Sequence, residues 1–404
     1  MEELVKKYEL KLIQAGLAEP DGPCRPIIGG LDHIPVWNRQ SQETHTLEPL
    51  FSNMAINSLV CFRPKFPYNE IMAFLAKKAL ENQGIIHPMD CETRTFLHDL
   101  PVVQDFSLTV ILPALKIRKC VIVMDSMAET LGPAIIAHGS VSPEQGFVTA
   151  SSVVFACYVK FFTDYLDGLQ SGTAPFEMHQ LYDKILPDLT APAPHLPDLI
   201  QGPFGNEDKI YKAMIQAGKK TVDYGLVDSY FGNISYFKDG ILYISQTGSS
   251  LDELSGCIDP VPIDGSSSAG LTASSELTAH METIRRTGSN AILHGHPKFS
   301  VILSMDCDPG KKAGCKFKDR CHTNCPEHRS IRGIPIVPGE VGTGPTGLCN
   351  TLPPAFETAS GVIVYGHGLF TLGKNDFSKA FATLLDVETQ CRKAYVDKVS
   401  DLRK

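Results

Sequence analysis

The stretch Asn290-Ala-Ile-Leu-His294-Gly-His296-Pro297 decides how this chain of 404 residues is interpreted. Its first four residues are predicted to form a short buried strand. Because the side chains of a strand alternate between two faces, His294 and His296 are expected on the same side, as two ligands of one metal ion must be. A His-x-His pair alone is more often an ordinary part of a strand, so the neighbouring motifs have to support a metal site.

Two further motifs supply ligand-type side chains. Ser274-Ser275-Glu276 precedes a helical pattern of apolar residues, and we predict that the serines cap this helix. His367 follows the apolar run Val362-Ile-Val-Tyr365, at a predicted turn. Three imidazoles and one carboxylate suit a divalent cation, and zinc fits them best. The sequence therefore predicts a metal site formed by Glu276, His294, His296 and His367.

Together these motifs resemble the class II aldolase/adducin family, the family of fuculose-phosphate and rhamnulose-phosphate aldolases and of ribulose-phosphate 4-epimerases. The resemblance rests on Ser-Ser-Glu, on His-x-His-Pro eighteen residues later, and on a strand that ends in His-Gly. It extends upstream to Tyr230-Phe-Gly232-Asn233-Ile-Ser235 and Ser245-Gln-Thr247-Gly248, and it covers roughly residues 205–395. It implies the α/β/α layered fold of the class II aldolases for this half of the chain.

The resemblance also implies roles for individual residues. His294, His296 and His367 would bind the metal, and Glu276 would bind it in the resting site and act as acid/base once the substrate displaces it. A glutamate in the first turn of a helix is also favoured by the helix dipole alone. The turns that hold the substrate phosphate in the family correspond here to Gly232, Asn233, Thr247, Gly248, Ser274 and Ser275. A carboxylate ligand is the alternative occupant of these turns.

The reaction implied by the resemblance is cleavage of a phosphorylated ketose, or a similar hydroxy-ketone, to dihydroxyacetone phosphate and an aldehyde. A divalent cation, Zn²⁺ or another such as Mn²⁺, would polarise the carbonyl group. Fuculose-phosphate aldolase has a tyrosine shortly after the Ile-Pro strand as proton donor, whereas Ile334–Gly344 contains none, and Glu340 is the candidate to replace it. Epimerisation or decarboxylation on the same metal, and a non-catalytic adducin-like scaffold, are the alternatives.

The composition excludes several classes of protein. With 43% hydrophobic residues and a formal net charge of -8, the chain is expected to be soluble and to have no general attraction to nucleic acid or anionic membranes. We recognise no N-terminal signal pattern, and the most apolar helical run, Phe147–Phe162, is predicted to be too short to span a bilayer and carries Lys160. Twelve cysteines then indicate thiols or metal ligands in a reducing cytoplasm.

The order of predicted elements divides the chain into two domains. Residues 1–20 are predicted to form a helix, and strands and helices then alternate up to about residue 165. Residues 171–205 carry six prolines and are predicted to be a linker with about one helical turn. A second alternation begins at residue 206. Such alternation predicts the α/β class, with domains at residues 1–170 and 206–404. One face of the first helix is predicted to consist of Leu4, Tyr8, Leu12 and Ile13.

The two halves are predicted to be related copies in tandem. Shifting the first half by 233 residues aligns Ser41-Gln42-Glu43 with Ser274-Ser275-Glu276, and six of 26 aligned positions are identical. Chance similarity is the alternative. Cys61 and Arg63 align with two predicted ligands, and a guanidinium cannot bind a cation, so the first half is predicted to be metal-free and non-catalytic. Because members of the family assemble as tetramers, the chain is expected to be a homo-oligomer, either a dimer or a tetramer.

A cysteine-rich insertion at residues 307–329 has no counterpart in the small aldolases. Its four cysteines lie within nineteen residues, interleaved with Gly, Lys and Pro, and such a segment cannot build a core of its own. They are Cys307, Cys315, Cys321 and Cys325. A second zinc ion and an iron–sulfur cluster are both compatible with the spacing, and free thiols are the third alternative. The insertion leaves the chain just after the His-x-His strand, so it is expected near the mouth of the site.

Overall fold

The computed structural model describes residues 1–227, 230–318 and 320–404, the side chain of Ala269 excepted. These residues divide into two compact units, one made of residues 1–164 and 176–185 and the other of residues 165–175 and 186–404. Each unit has its own sheet and its own buried apolar core. Both units are therefore α/β, as the alternating sequence pattern predicts.

The first unit is built on a sheet whose neighbouring strands are antiparallel, apart from the parallel pair β5–β6. Its strands are β1 (Ile27–Leu31), β2 (Pro35–Trp37), β3 (Ser58–Phe62), β4 (Ile85–Ile86), β5 (Leu100–Gln104), β6 (Cys120–Met124) and β7 (Ala134–Gly139), in the spatial order β2-β1-β3-β7-β6-β5-β4. Its helices are α1 (Glu2–Gln14), α2 (Gln42–Leu47), α3 (Leu50–Asn53), α4 (Tyr68–Leu80), α5 (Cys91–Leu97), α6 (Leu108–Ile117) and α7 (Ala128–Leu131). Two further helices, α8 (Pro143–Ser171) and α9 (Phe176–Leu189), cross unit boundaries.

The second unit has a sheet of the order β10-β9-β8-β11-β15-β14-β13-β12. These strands are β8 (Asn233–Lys238), β9 (Ile241–Ser245), β10 (Ile258–Pro262), β11 (Ala291–Gly295), β12 (Arg329–Ile331), β13 (Ile334–Val337), β14 (Gly361–Val364) and β15 (Gly368–Gly373). The helices are α10 (Glu207–Asp223), α11 (Leu277–Thr287), α12 (Lys298–Met305), α13 (Pro309–Gly314), α14 (Leu348–Ala355) and α15 (Ser378–Leu402), with a 3₁₀ turn at Ala269–Leu271. β11 is buried along its whole length because it lies inside the sheet between β8 and β15.

The two sheets repeat one pattern of strand pairing. From β3 the series β3-β7-β6-β5-β4 runs antiparallel, antiparallel, parallel, antiparallel, and from β11 the series β11-β15-β14-β13-β12 has the same four senses. The 233-residue shift found in the sequence places Ser58–Phe62 on Ala291–Gly295, so β3 and β11 align residue for residue. This agreement supports the hypothesis that the halves are related copies.

The end of β3 carries an ion pair where the end of β11 carries histidines. Arg63, which aligns with His296, donates to the Asp125 carboxylate and to the carbonyl oxygen of Gly132, each at 2.6 Å. The side chains of Arg63 and Asp125 are only 5% and 11% exposed. The guanidinium is therefore held by acceptors of its own unit and offers no ligand atom to a cation.

The Pro-rich stretch contains more helix than predicted. α9 (Phe176–Leu189) runs for about four turns, although Pro187 lies inside it and Pro175 directly precedes it. Its buried residues recur at helical spacing, and this apolar stripe outweighs the single hydrogen bond that Pro187 cannot donate. The buried set is Met178, Leu181, Tyr182, Ile185 and Leu189. An amphipathic helix thus lies in a stretch whose prolines predicted a linker.

Two predictions about other helices also need correction. In α1 the buried face contains Val5, Tyr8 and Leu12, whereas Leu4 is 38% exposed. α8 is 29 residues long and is apolar enough to span a membrane by length and composition, so the prediction that this run is too short was wrong. Of its most apolar window, 89% is buried inside the protein, as is usual for a core helix.

α12 begins directly after His296 and Pro297 and is anchored by a carboxylate of α15. Glu388 accepts hydrogen bonds from the backbone N–H groups of Phe299 and Ser300 and from the Ser300 hydroxyl, each at 2.9 Å. The N–H groups of a first helical turn have no partner within the helix itself. Burial raises the pKa of Glu388, and these hydrogen bonds oppose the increase. Glu388 thus fixes the point at which β11 passes into the next helix.

We predict that Glu388→Ala lowers the free energy of unfolding by about 2–3 kcal/mol, because three donors beside α12 lose a charged acceptor. Denaturant titration of the full chain measures this change. Glu357→Ala is the control, since Glu357 forms an exposed ion pair with Arg286, and it should cost less than about 1 kcal/mol. Equal losses for the two variants would contradict the anchoring role of Glu388.

Candidate metal centre

His294 and His296 lie at the end of β11, and His367 lies in the turn between β14 and β15. β11 pairs antiparallel with β15, which brings this turn to the end of β11. Gly366, just before His367, has a φ of 57° and donates its N–H to the Ser304 hydroxyl at 2.8 Å. A positive φ is easily adopted by glycine, so the turn can be tight. All three imidazoles are buried.

The three histidines form one group. His296 Nε2 lies 3.0 Å from His294 Nε2, and candidate ligand nitrogens of the three rings all lie within 4.8 Å of one another. His294 donates its Nδ1–H to the carbonyl oxygen of Leu369 at 3.2 Å, which leaves its Nε2 with a free lone pair. Across residues 1–227, 230–318 and 320–404, no other three His, Cys, Asp or Glu side chains are gathered this closely.

Glu276 joins this group from the start of α11. Its Oε1 lies 3.1 Å from His367 Nε2, and its Oε2 lies 3.7 Å from His294 Nε2. Asn233 donates from Nδ2 to Oε2 at 2.5 Å. The glutamate is 4% exposed, so these side chains take the place that water has around a surface carboxylate. All four predicted metal-site residues are therefore brought together.

The protonation states of the group suit a cation. Burial lowers the pKa of His294 to about 3 and holds that of His296 well below its usual value of 6.5. Burial alone would raise the pKa of Glu276, but His294, the hydrogen bond with His367 and the one from Asn233 together lower it. Near neutral pH, Glu276 is ionised while His294 and His296 are neutral. Metal ions bind ligands in these states, so no proton has to leave these groups first.

The donor set and its spacing fit a divalent metal. Imidazole nitrogens with a carboxylate are common zinc ligands, and Zn–N bonds of about 2.0–2.1 Å place tetrahedral nitrogens roughly 3.4 Å apart. The 3.0 Å between the Nε2 atoms of His294 and His296 is close to this separation. Two nitrogen lone pairs that face each other at such a distance repel unless a proton or a cation lies between them.

Phe370 and Gly368 of β15 hold the ring of His294 in place. The Phe370 ring stacks on it with centroids 3.7 Å apart and 10° between the planes. A Cβ atom at Gly368 would lie 2.5 Å from the carbonyl oxygen of Gly295 and 2.7 Å from Cε1 of His294. A glycine is therefore required where β15 passes the histidines.

The turns predicted to hold a phosphate surround Glu276, but several of their polar groups are already engaged. Asn233 donates to Glu276, as described, and the Thr247 hydroxyl donates to the carbonyl oxygen of Ala273 at 2.9 Å. The Ser274 hydroxyl accepts the Glu276 N–H at 3.3 Å. Glu276 is itself the N-cap residue of α11, so the prediction that the serines cap this helix was wrong.

The remaining residues of this predicted pocket are two glycines and one serine. A Cβ atom at Gly232 would lie 2.5 Å from the carbonyl oxygen of His294, so a glycine is needed there. Gly248 has a φ of 72° and is exposed together with Ser275. The structure thus places the six residues around one region, and their role in binding phosphate stays a prediction.

Asp259 cross-links two of these turns, and sequence reasoning missed it. Its carboxylate accepts from Gln246 Nε2 at 2.7 Å and from the Thr272 hydroxyl at 2.6 Å. Gln246 precedes Thr247, and Thr272 precedes Ala273, so the buried carboxylate holds the two turns side by side. A lone Asp beside a proline gave no sequence signal for this role.

Glu340 is not part of the group. It is exposed and accepts a hydrogen bond from the Thr346 hydroxyl at 3.2 Å. Within residues 1–227, 230–318 and 320–404, none of the hydrogen bonds and ion pairs given above for Glu276, His294, His296 and His367 involves Glu340. Its role as a proton donor therefore stays a prediction without support from this structure.

The cysteine-rich insertion is connected to the histidine turn. Cys321 forms a hydrogen bond with Tyr365, two residues before His367, in accordance with a loop near the site. Its thiol also approaches the carbonyl oxygen of Phe317 at 3.4 Å, and Cys315 accepts the Phe317 N–H at 3.4 Å. Cys307, Cys315, Cys321 and Cys325 are free thiols, and in the described part of the chain they do not form a group within 4.8 Å. The second zinc or iron–sulfur cluster thus gains no support.

His280 lies on the same helix as Glu276, but its side chain bonds elsewhere. Its Nδ1 lies 2.7 Å from the Ser235 hydroxyl, and the ring packs edge-on against Phe370 with centroids 6.0 Å apart. Burial lowers the pKa of His280 to about 4. His280 is thus a neutral core residue that packs against Phe370, the residue that stacks on His294.

We predict that Gly368→Ala weakens zinc binding at least tenfold and destabilises the second unit by about 1–3 kcal/mol, because the new methyl group overlaps β11 and the His294 ring. Competition with a chromophoric zinc chelator measures the affinity. Gly205→Ala is the control, since a Cβ atom at Gly205 meets no atom within 4 Å. Unchanged zinc affinity in Gly368→Ala would refute this packing argument.

We also predict that the metal-free protein loses stability as the pH falls from 6.5 towards 5. The unfolded chain takes up protons on histidines near pH 6.5, whereas buried His280, His294 and His296 stay neutral in the folded state. Stability is therefore complete above pH 6.5 and declines below it, by up to about 1.4 kcal/mol per pH unit for each such histidine. Denaturant titrations with a chelator at pH 7, 6 and 5 measure it. His280→Gln should reduce the slope, and a flat profile would disprove the assignment.

Several solved structures are similar to this chain over about half of its length. An l-fuculose-1-phosphate aldolase from Thermus thermophilus is 20% identical, with 47% of this chain and 95% of that protein covered and a TM-score of 0.37. YgbL from Klebsiella pneumoniae, a proposed aldolase/epimerase/decarboxylase, is 21% identical, with 49% and 100% covered and a TM-score of 0.39. A sugar-phosphate aldolase from Thermotoga maritima is 16% identical, with 48% and 96% covered and a TM-score of 0.33. No curated protein matches the chain.

A family model identifies the second half more directly. The model of the class II aldolase and adducin N-terminal domain matches residues 212–395. This range begins within α10 and ends within α15, and it contains Glu276 and the three histidines. The resemblance seen in the sequence motifs is thereby confirmed. Residues 212–395 belong to the class II aldolase and adducin family.

Proposed function

We propose that the second half is a metal-dependent aldolase-type lyase that cleaves a phosphorylated ketose, or a similar hydroxy-ketone, to dihydroxyacetone phosphate and an aldehyde. The observation that carries this proposal is the buried group of Glu276 and three histidines, with the glutamate ionised and His294 and His296 neutral. Membership of residues 212–395 in the class II aldolase and adducin family supports it. The resident metal is proposed to be Zn²⁺ or another divalent cation such as Mn²⁺.

The histidines and Glu276 have different chemical roles in this proposal. A divalent cation held by His294, His296 and His367 would supply Lewis-acid polarisation of the substrate carbonyl and its neighbouring hydroxyl. Glu276 is the member that can hold and move a proton, at either carboxylate oxygen. In cleavage a hydroxyl group loses its proton, the electrons of the broken carbon–carbon bond move towards the carbonyl, and the carbon left behind gains a proton. Glu276 is ionised at rest, so it can first take up the proton that the hydroxyl group releases and then deliver it to this carbon.

Epimerisation or decarboxylation on the same site is the second candidate. The stretch Ile334–Gly344 has no tyrosine, and Glu340 is exposed and bonded to Thr346. Decarboxylation releases CO₂ and needs a proton delivered to the carbon left behind but no base for a hydroxyl group, so Glu276, after it has taken up a proton from water, suffices for it. A non-catalytic scaffold is disfavoured, because a scaffold gains nothing from a buried ionised carboxylate beside ligand-type histidines.

We infer that the first half is a degenerate, non-catalytic copy of the second. The repeated pairing senses of the two sheets and the Arg63–Asp125 pair in place of ligands support this inference. The remaining parts of the proposal are a cytoplasmic location, a small phosphorylated substrate and a homo-oligomer, either a dimer or a tetramer. The range of residues 307–329 is proposed as an insertion into the catalytic domain.

We predict that Glu276→Gln keeps about one zinc per chain yet slows solvent-deuterium exchange into dihydroxyacetone phosphate about 10²- to 10⁴-fold, because the amide cannot transfer a proton. His296→Ala should lose both zinc and exchange. Elemental analysis with acid-labile sulfide, on protein purified without oxygen, reports the metal content, and nuclear magnetic resonance follows the exchange.

The controls separate the alternatives. Glu357→Gln, on an exposed residue, should keep both properties. Zinc without any exchange in the wild-type chain would favour epimerisation or decarboxylation on another substrate. Protein that contains no metal would overturn the catalytic proposal in favour of the scaffold. Iron with matching sulfide would place a cluster on the cysteine-rich insertion.

A further inference from the structure

A cavity of about 280 Å³ lies beside α11 in the second unit. Its wall is mainly apolar, and the apolar residues that line it are Phe237, Leu242, Ile263, Met281 and Ile284. Met281 and Ile284 belong to α11, whereas Phe237 of β8 and Leu242 of β9 pair with each other in the sheet. The wall is therefore formed by both the helix and the sheet.

The cavity is separate from the metal centre, although both lie along α11. Glu276 is the N-cap of this helix, and Ile284 follows it by eight residues, which is about 12 Å of helix. On β8, Asn233 bonds to Glu276, whereas Phe237, four residues further on, lines the cavity. Alternate residues of a strand share a face, so the two places are on the same side of the sheet. None of the four residues of the metal centre is among the described residues that line the cavity.

The apolar wall of the cavity is accessible from the surface. Ile263 is 39% exposed, and Phe237 and Met281 are only partly buried where they pack against the core. An apolar body that fills the cavity removes this surface from water, which is favourable. Because an apolar cavity of about 150 Å³ can hold benzene, roughly twice that volume suits an apolar body of about eight to ten carbon atoms.

One positive charge lies at the edge of the cavity. Of the lining residues that the structure describes, only Arg285 is charged, and its side chain is 65% exposed. Its Nη1 donates to Glu282 at 2.9 Å, and an exposed ion pair of this kind is weak. A guanidinium has five N–H donors in a planar fork that matches a carboxylate, so Arg285 has donors left for a second one.

We propose that this cavity is a binding site for a small amphiphilic carboxylate, with its apolar body against α11 and the sheet and its carboxylate at Arg285. A mainly apolar wall with few polar groups is typical of sites for small molecules. A sugar phosphate has no apolar body, so this ligand differs in class from the proposed substrate. Binding at the cavity and the proposed reaction at the metal centre can each fail without the other.

Two matched probes test the site. 3-Phenylpropanoate carries a carboxylate on a phenyl ring and a short chain, and 3-phenylpropan-1-ol has a hydroxyl group in place of the carboxylate. Each probe is titrated by calorimetry into the full chain, with and without a metal chelator. Both should bind, the carboxylate about three- to fivefold more tightly, which is the worth of a partly exposed ion pair. Binding should persist with the chelator, because the metal centre takes no part in it.

Variants separate the charge from the fit. Arg285→Gln should weaken the carboxylate about three- to fivefold and leave the alcohol unchanged. Arg286→Gln is the matched control and should change neither probe, since Arg286 pairs with Glu357 and is not among the described lining residues. Met281→Trp should fill the cavity and weaken both probes about tenfold or more. If it does not fold, Ile263→Glu at the exposed edge replaces it and should also weaken both probes, because it sets a charge against the apolar body.

Several results would overturn the proposal. Failure of both probes to bind would do so, and so would binding that the chelator abolishes, because the probe would then be at the metal centre. Equal losses of the carboxylate in Arg285→Gln and Arg286→Gln would remove the role of Arg285. Unchanged affinities in a folded Met281→Trp would show that the probes bind elsewhere. A smaller particle for Met281→Trp in light scattering would assign the cavity to a contact between copies of the chain.

Discussion

The antiparallel pairing of β11 with β8 on one side and β15 on the other is the constraint on which the metal centre depends. Its register sets Asn233 and Phe370 on either side of His294. A slip of one residue would move every side chain of β11 to the opposite face of the sheet. Gly368 makes the register possible, because any side chain there would collide with β11. The position of each ligand is therefore a property of three strands together.

Burial turns this geometry into chemistry. Taken out of water, His294 and His296 remain neutral, and Glu276 remains ionised only because polar partners replace its water shell. Asn233 and His367 are these partners. A divalent cation among such ligands would more than balance the charge of Glu276, in a site whose side chains are buried from water. Charge that develops on a substrate oxygen is stabilised far more strongly there than in water. The proposed function therefore gives a reason why the protein buries a carboxylate although this costs free energy of folding.

What the sequence could predict here was local. The alternation of a strand puts His294 and His296 on one side, and the Ser-Ser-Glu and His-Gly motifs lie beside the same group, as the family resemblance implied. The stacking of Phe370 on His294 depends on a register between strands far apart in the chain, for which no local pattern exists. Asp259 joins two turns from a third segment for the same reason. The hydrogen bond from Asn233 to Glu276 also joins a strand to the start of a helix far away in the chain, so no local pattern predicted it.

The first half shows that this arrangement of strands does not itself dictate a metal centre. β3, like β11, has an antiparallel strand on each side. Yet Arg63, directly after β3, donates hydrogen bonds to Asp125 and to the Gly132 carbonyl oxygen. This buried pair balances its own charge and needs no cation, whereas His294 and His296 beside Glu276 are neutral and do not balance its charge. Loss of the aspartate would leave the buried guanidinium of Arg63 without a charged partner, which is strongly destabilising. The two sheets thus differ in the few side chains at the end of one strand, which are an internally paired arginine after β3 and candidate metal ligands at the end of β11.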